Sequence, residues 1–262
     1  MDTVHPGCNT AVQGPDYHVP MEHAPMQQAA IGKERGREVT RIEAFVDAAF
    51  AFAVTLLVIS FNALPDSADA LIEALKGVPA FAASFALLAM LWWAHANWSR
   101  RYGLDDGRSV LLSLLLVFLV LVYVYPLRII FTAFFGWISD GWLPLGIAID
   151  SDGDLQLLFT AYAVAWTTLG FVVVALYRHA WRHRDALGLD REERIDLRGA
   201  IAAQWMIPAT GALALLFLAV TALLGEPSLA GMSGFAYALM ALTGVVVARA
   251  RRHAERGEGA AA

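Results

Sequence analysis

The sequence has little of what secreted domains and most enzymes depend on. Cys8 is the only cysteine among 262 residues, so no disulfide can form within the chain. Charged residues make up 16% of the chain, against about a quarter in an average soluble domain. The patterns GxSxG, HExxH, the Walker loop and TVGYG are all absent from the sequence. These absences argue against an enzyme, a cofactor-binding protein or a dedicated metal site.

Apolar residues, in contrast, are abundant. They account for 58% of the chain, and the mean hydropathy is +0.54. A helix needs roughly 20 predominantly apolar residues to cross the hydrocarbon of a bilayer. Six runs of this kind lie near 43–62, 78–97, 109–133, 155–179, 199–224 and 228–248. The sequence therefore predicts an all-α, polytopic membrane protein with six transmembrane helices, whose surroundings are the lipid bilayer.

Basic residues are concentrated on alternate sides of these runs. Arginines and lysines precede the first run, separate the second from the third and the fourth from the fifth, and follow the sixth. The other three connections are acidic, with Lys76 as their only basic residue. Since short cytoplasmic segments retain Lys and Arg, both termini are predicted to be cytoplasmic. The acidic connections also explain a sequence pI of 5.8, which gives no support to a nucleic-acid partner.

The two ends of the chain differ from its middle in composition. Residues 1–38 are rich in Pro, Gly, His and Gln and lack the apolar segment of a signal peptide, so they are predicted to form a disordered cytoplasmic tail. Its histidines have neither clustered cysteines nor a regular spacing, which favours a solvated segment over a metal site. A six-helix transmembrane domain is expected over 39–249. A basic cytoplasmic tail is expected over 250–262.

A carboxylate lies two turns inside the first apolar run. Asp47 is six residues, about 9 Å, inward of Arg41, and an acid at this depth needs a partner or a wet cavity. His95 lies at a similar depth in the antiparallel second run. We therefore expect a hydrogen bond between Asp47 and His95, with the indole of Trp92 or Trp93 as a further donor. Such a polar clamp is either structurally inert or a proton-sensing or gating group.

A second feature of the first run is a stripe of residues about 100° wide on a helical projection. Its members are Arg41, Phe45, Ala48, Phe52, Thr55, Leu56 and Ile59. Asp47 lies about 120° from the centre of this stripe, so the acid and the stripe face different neighbours. Periodicity alone favours a stripe that faces lipid or the protein core.

The first two runs also carry motifs of a known family. Residues 41–47, RIEAFVD, and the TLLV of 55–58 resemble the RxxxFSD signature and TLL run of the transmembrane protein 175 family. This family comprises the lysosomal-type potassium channels and their prokaryotic relatives. The WWAH of 92–95 is similar to the family's W-x-x-H, and Pro126 matches a proline often found in the third helix. The resemblance extends over about residues 38–250.

This resemblance implies a homotetramer in which the four first helices line a central cation pathway. By alignment of the motif, the pore constriction is formed by Phe52, Thr55, Leu56 and Ile59. The same alignment places Arg41, Phe45, Asp47, Trp92 and His95 in the polar clamp or gating cluster. The implied function is a weakly selective channel for potassium and other monovalent cations in a prokaryotic plasma membrane. Val46 stands where the family has serine, and Phe52 where it has isoleucine or leucine.

Two other functions remain open at this point. A proton-linked secondary transporter would use Asp47 and His95 as a relay, and a non-conducting membrane scaffold would need neither residue. Transporters generally place broken helices and polar groups near the midplane of the membrane. Asp47 and His95 both lie toward the cytoplasmic side, which favours the channel.

Overall fold

The computed structural model describes residues 35–36, 38–59, 66–146 and 151–259, and its regular elements are all helical. The helices are α1 Arg41–Ile59, α2 Ala68–Leu75, α3 Val78–Tyr102, α4 Gly107–Ile138, α5 Asp152–Arg182, α6 Arg191–Leu223, a 3₁₀ helix Pro227–Leu242 and α7 Thr243–Gly259. The all-α class expected from the sequence is confirmed over this part of the chain. The predicted basic tail from residue 250 continues α7 as a helix.

Five segments in the described residues are long and apolar enough to cross a membrane. They are α3, α4, α5, α6 and the combined segment Pro227–Arg256. The chain is thus a multi-pass membrane protein. α1 is not among the five: its 19 residues include the charged Arg41, Glu43 and Asp47. The predicted continuation of this run to residue 62 lies outside the described residues, and the count of six spans stays a prediction.

Side-chain caps fix where the long helices begin. The Asp106 carboxylate accepts a hydrogen bond from the backbone N–H of Arg108 at the start of α4. Ser151 and Asp154 form a reciprocal capping box at the start of α5. Asp190 and Glu193 form another at the start of α6. Since each box satisfies backbone donors that a helix start leaves unpaired, α6 begins eight residues before its apolar run.

The main core lies between α1, α3, α4 and α5. Its largest fully buried side chains include Trp98, Tyr102, Leu57, Leu91, Leu116 and Leu176. Two reciprocal hydrogen bonds join α3 to α5: Trp98 Nε1 donates to Leu176 O at 2.8 Å, and Tyr177 Oη donates to Ala94 O at 3.0 Å. Because each bond joins a large side chain to the backbone of the other helix, together they fix how α3 and α5 lie along each other.

α5 and α6 pack closely because small residues lie at their contact. A Cβ atom on Gly170 would lie 2.7 Å from side-chain atoms of both Ile207 and Pro208. The proline occupies the interior of α6, where its ring removes a backbone donor. Trp166 Nε1 donates to Thr210 Oγ1 at 3.1 Å across the same interface. Gly170 therefore allows α5 to approach α6 where Pro208 interrupts its hydrogen-bond ladder.

The chain turns back tightly after α6. Gly225, with φ +73°, lies in the left-handed region where glycine is favoured. The 16-residue 3₁₀ helix that follows rises about 2.0 Å per residue, or about 32 Å in all. This length matches the hydrocarbon thickness of about 30 Å. An α-helix would need about 20 residues to reach the same length.

Candidate functional site

The pore helix of the sequence prediction, α1, has one face packed into the core. Val46 and Ala53 are 0% exposed, Leu57 is 1% exposed and Phe50 is 4% exposed. These residues lie at helical spacing and contact the core formed with α3 and α4. Burial of this face fixes the rotation of α1 about its own axis.

The apolar stripe lies on the opposite side of α1, where the described helices leave it uncovered. Phe52 is 55% exposed and Phe45 is 52% exposed. Arg41, Ala48 and Thr55 are also exposed, and Leu56 is half-buried at the edge of the stripe. The side chain of Ile59 lies outside the described residues. Of the predicted constriction residues that can be located, Phe52 and Thr55 are exposed on the face of α1 away from the core, whereas Leu56 packs partly against the core.

Thr55 adds a polar atom to this face. Its Oγ1 donates a hydrogen bond to Ala51 O at 3.0 Å. Since a hydroxyl has one proton and two lone pairs, this bond uses the proton and leaves the oxygen as an acceptor. An exposed oxygen between apolar neighbours can bind a partly dehydrated cation.

Asp47 is joined to α3 by a tryptophan. Trp92 Nε1 donates to Asp47 Oδ1 at 2.8 Å, a normal length for a charge-assisted hydrogen bond. Asp47 itself is exposed and Trp92 is half-buried, so the pair lies at the edge of the α1–α3 contact. The indole is one of the two donors that the sequence suggested for this carboxylate.

His95 has a different partner from the predicted one. Its Nε2 lies 2.9 Å from Ser113 Oγ on α4, and its ring is 1% exposed. Nδ1 is buried and has no hydrogen-bond partner among the described residues. The prediction of a hydrogen bond between Asp47 and His95 is therefore wrong. The two residues were expected to meet because they lie at a similar depth, but the side chain of His95 on α3 faces α4. The clamp joins α1 to α3 through Trp92, and His95 joins α3 to α4.

Arg41 lies beside an open cleft at the start of α1. The cleft has a volume of about 510 Å³ and lies between the first turn of α1 and the first turns of α4. Its lining is Glu38, Val39, Thr40, Arg41, Ile42, Phe45, Asp105, Val110 and Leu114. Both signs of charge are present, together with apolar side chains. Arg41 and Phe45 thus border an accessible space at the predicted cytoplasmic end of the stripe.

One residue at the other end of α1 was not identified as a site from the sequence. Arg128 of α4 donates through Nη1 to Leu57 O at 3.2 Å. This bond joins α4 to α1 in the last described turn of α1. The sequence signal of Arg128 is an arginine inside an otherwise apolar run.

The connection before α4 carries a further polar contact at the end of the bundle that is predicted to be cytoplasmic. Asp106 accepts hydrogen bonds from Ser109 Oγ at 2.5 Å and from His179 Nε2 at 2.8 Å. Desolvation alone would raise the pKa of Asp106, but these hydrogen bonds hold that pKa well below its usual range. This contact joins the α3–α4 connection to the end of α5.

The described residues hold no group of His, Cys, Asp and Glu side chains placed to bind a metal ion. The histidines of the tail, His5, His18 and His23, lie outside these residues.

Three comparisons identify proteins to which this chain is similar. The profile of the family described as endosomal/lysosomal potassium channel TMEM175 matches residues 41–126, from the start of α1 into α4. A protein of Marivirga tractuosa described as a potassium channel is 32% identical over 212 residues, covering 78% of this chain and 84% of the relative. The crystal structure of a variant of the potassium channel MtTMEM175, in complex with a nanobody–MBP fusion protein, superposes with a TM-score of 0.71. That match has 29% identity and covers 84% of this chain and 98% of the other.

Proposed function

The chain belongs to the TMEM175 family of potassium channels, and we propose that it forms a weakly selective potassium channel as a homotetramer. In this proposal the α1 helices of four subunits surround the ion pathway. Phe52, Thr55, Leu56 and Ile59 form its narrow part. The membrane is the plasma membrane of a prokaryote, it is crossed six times by each subunit, and both termini are cytoplasmic.

The observation that carries the proposal is the orientation of α1. Phe52 and Thr55, which match pore positions of the family, lie on the face that the protomer leaves uncovered, with Phe52 at 55% exposure, and Leu56 lies at the edge of that face. A buried stripe would have excluded a pore along this helix. Closed symmetry then places the same face of each subunit around one axis.

Two polar residues within the stripe favour a pore over a lipid-facing surface. Thr55 presents a hydroxyl oxygen, and the stripe begins at the exposed Arg41. A helix face that contacts only lipid gains nothing from a polar atom in its middle. A face that contacts permeating cations gains an oxygen ligand at the level where ions lose water.

The physics of the narrow part follows from large apolar side chains. Rings of such side chains exclude water when they approach closely, and an ion then crosses only when the rings become wet or widen. Phe52 is bulkier than the aliphatic residues usual at its position, so it should form the strongest barrier of the described members. Low conductance is the expected consequence.

The Asp47–Trp92 hydrogen bond has a positioning role in this proposal. Asp47 lies about 140° around α1 from Phe52, so its bond to α3 holds the stripe away from α3. A transporter that used Asp47 and His95 as a proton relay has less support, because His95 contacts Ser113.

Reconstitution of the purified protein into liposomes with a potassium gradient tests the proposed function. A channel gives downhill potassium flux that needs no proton gradient, whereas a proton-linked carrier gives flux that follows the pH gradient. A scaffold gives no flux.

Assembly is tested by a cysteine in place of Leu56. Since Cys8 is the only native cysteine, Cys8→Ser provides a clean background for Leu56→Cys. Oxidation should join neighbouring subunits through Leu56→Cys, because this residue is expected to face the axis. Ala53→Cys, on the buried face, is the matched control and should not form such dimers. A stable monomer in both detergent and lipid would contradict the pore.

A further inference from the structure

The chain is fixed to the folded domain before α1 begins. Arg35, in the segment that the sequence assigned to the disordered tail, forms a bidentate ion pair with Glu193 of α6. The two distances are 2.8 Å from Nη1 to Oε1 and 2.9 Å from Nη2 to Oε2. Its Nε donates to Leu187 O at 3.0 Å. Such a fork-to-fork pair fixes direction as well as distance.

The backbone next to Arg35 is docked as well. Gly36 N donates to Arg100 O at 3.1 Å, at the end of α3. A Cβ atom on Gly36 would lie 2.9 Å from Ser99 O. Gly103, with φ +57°, also lies against this segment. A Cβ atom on Gly103 would be 3.0 Å from the carbonyl carbon of Arg35. Two glycines therefore let this segment lie directly against the end of α3.

The Glu193 side chain also caps the start of α6, which fixes its position. Its Oε2 accepts a hydrogen bond from Asp190 N at 3.0 Å, which closes the capping box of α6. Its side chain is 7% exposed. The ion pair with Arg35 compensates the charge of this buried carboxylate, so removal of Arg35 should destabilise Glu193 in its place.

The second turn of α6 carries a further group of ion pairs. Asp196 binds Arg101 of α3 at 2.8 Å and Arg251 of α7 at 2.7 Å. Three parts of the chain, the segment before α1, the end of α3 and the middle of α7, therefore meet the first turns of α6. The Arg35–Glu193 pair therefore lies next to other ion pairs of α6 and is not an isolated surface contact.

The distance along the chain links this anchor to α1. Five residues lie between Arg35 and Arg41, the first residue of α1, and even fully extended these six residue steps span only about 20 Å. At the far end of α1, Arg128 binds Leu57 O. α1 is thus attached near both ends, by a cation from another part of the chain in each case.

We propose that Arg35 is a positioning residue of the channel, and that the Arg35–Glu193 pair is a latch that fixes the cytoplasmic end of α1. The latch limits how far α1 tilts about its attachment at Leu57, and so keeps the constriction rings close together. Its effect on conduction rests on the proposed function, whereas the ion pair and its effect on α1 do not.

The test uses two variants that remove one charge each, Arg35→Gln and Glu193→Gln. Glutamine at 193 retains a capping-box acceptor, so this variant loses the latch without losing the helix cap. Glu192→Gln is the matched control, because Glu192 is the neighbouring exposed acid in the same turn. Arg35→Lys, which keeps the charge but not the bidentate geometry, covers the case in which a glutamine variant fails to fold.

Three measurements separate the latch from the proposed function. The melting temperatures of the two single variants and the double variant should be strongly non-additive, with the double variant no worse than the worse single. Disulfide trapping between subunits through Phe45→Cys, at the cytoplasmic end of α1, should fall at least threefold in Arg35→Gln. Trapping through Leu56→Cys should change less.

Potassium flux into liposomes should rise severalfold in Arg35→Gln and Glu193→Gln, with weaker discrimination against sodium, while Glu192→Gln behaves as wild type. Additive melting temperatures, or wild-type trapping and flux in both latch variants, would overturn the latch. If wild type conducts nothing and forms no disulfides between subunits, the proposed function fails. Additive melting temperatures would then still overturn the latch, because they would show that Arg35 and Glu193 do not act as a pair.

Discussion

Two faces of the same helix meet different surroundings in this protein. Phe50 and Phe52 are two residues apart on α1, yet Phe50 is 4% exposed and Phe52 is 55% exposed. The first belongs to the core shared with α3 and α4, and the second lies on the exposed side of the helix. Both faces are apolar, so their difference lies in their neighbours rather than in their hydropathy.

The comparison teaches how a membrane protein separates packing from conduction. A buried face is selected for shape, because close packing stabilises the protomer. An apolar face without protein neighbours also costs nothing against lipid, so the orientation of the stripe supports a pore only together with its polar members. Thr55 and Arg41, the polar members of the exposed stripe, give that face its proposed role as the wall of an ion pathway.

The largest expected effect is on the packed face. Phe50→Ala removes a buried ring and leaves a cavity, which should lower the free energy of unfolding by about 3–5 kcal/mol. Thermal unfolding in detergent measures the loss. The potassium flux per correctly folded protein should change little. A Phe50→Ala variant as stable as wild type would show that this face is not packed as described.

The second prediction concerns the exposed partner of that pair. Phe52→Ala should raise potassium flux by about tenfold, equivalent to a barrier lowered by about 1.4 kcal/mol, and should weaken discrimination against sodium. Phe52→Asn should also raise flux if dewetting is the barrier, since it adds polarity at moderate size. Stability should change by less than about 0.5 kcal/mol.

Val58→Ala is the control for Phe52, because Val58 is 47% exposed but lies on another side of α1. Its flux should equal that of wild type. Should Val58→Ala alter the flux while both Phe52 variants leave it unchanged, the pore face has been assigned to the wrong side of the helix.

The third prediction tests the contact that holds the two faces in their orientation. Trp92→Phe keeps the apolar bulk but removes the indole donor to Asp47, and should lower stability by about 1 kcal/mol. Asp47→Asn in the same background should add little further loss, since the two changes remove one interaction. Trp93→Phe, which removes the neighbouring indole, is the control. Equal losses for Trp92→Phe and Trp93→Phe would argue against the hydrogen bond.

The smallest effect is expected far from both faces, at Asp106. Since its pKa is lowered in the folded state, the ionised Asp106 contributes stability above the ordinary pKa of about 4. That contribution is lost as the pH falls below this value. Asp106→Asn should cost about 0.5 kcal/mol at pH 7, a figure reduced because the side chain is 43% exposed.

Melting temperatures of wild type and Asp106→Asn between pH 7 and pH 3 check this prediction. The difference between the two proteins should be constant at neutral pH and should shrink as the pH falls below about 4. A difference that grows on acidification has the wrong sign and would assign the effect to another group.

Part of the candidate site was accessible to sequence reasoning, and part was not. The depth of Asp47 and the stripe that contains Phe52 both follow from a regular helix of 3.6 residues per turn. The partner of His95 did not follow, because depth along a helix leaves open which neighbour a side chain faces. Ser113, its partner in the structure, carries no sequence signal of its own.

The sequence by itself determined the class of this protein: its apolar runs require a membrane, and its RIEAFVD motif marks the family. These properties depend on local composition and on spacing along one helix. Only the tertiary structure decided that Arg35 binds Glu193 and that Arg128 binds the end of α1. Arg35 and Glu193 are 158 positions apart in the sequence and meet because several helices pack together. The energy of that packing cannot be inferred from the residues next to either of them in the sequence.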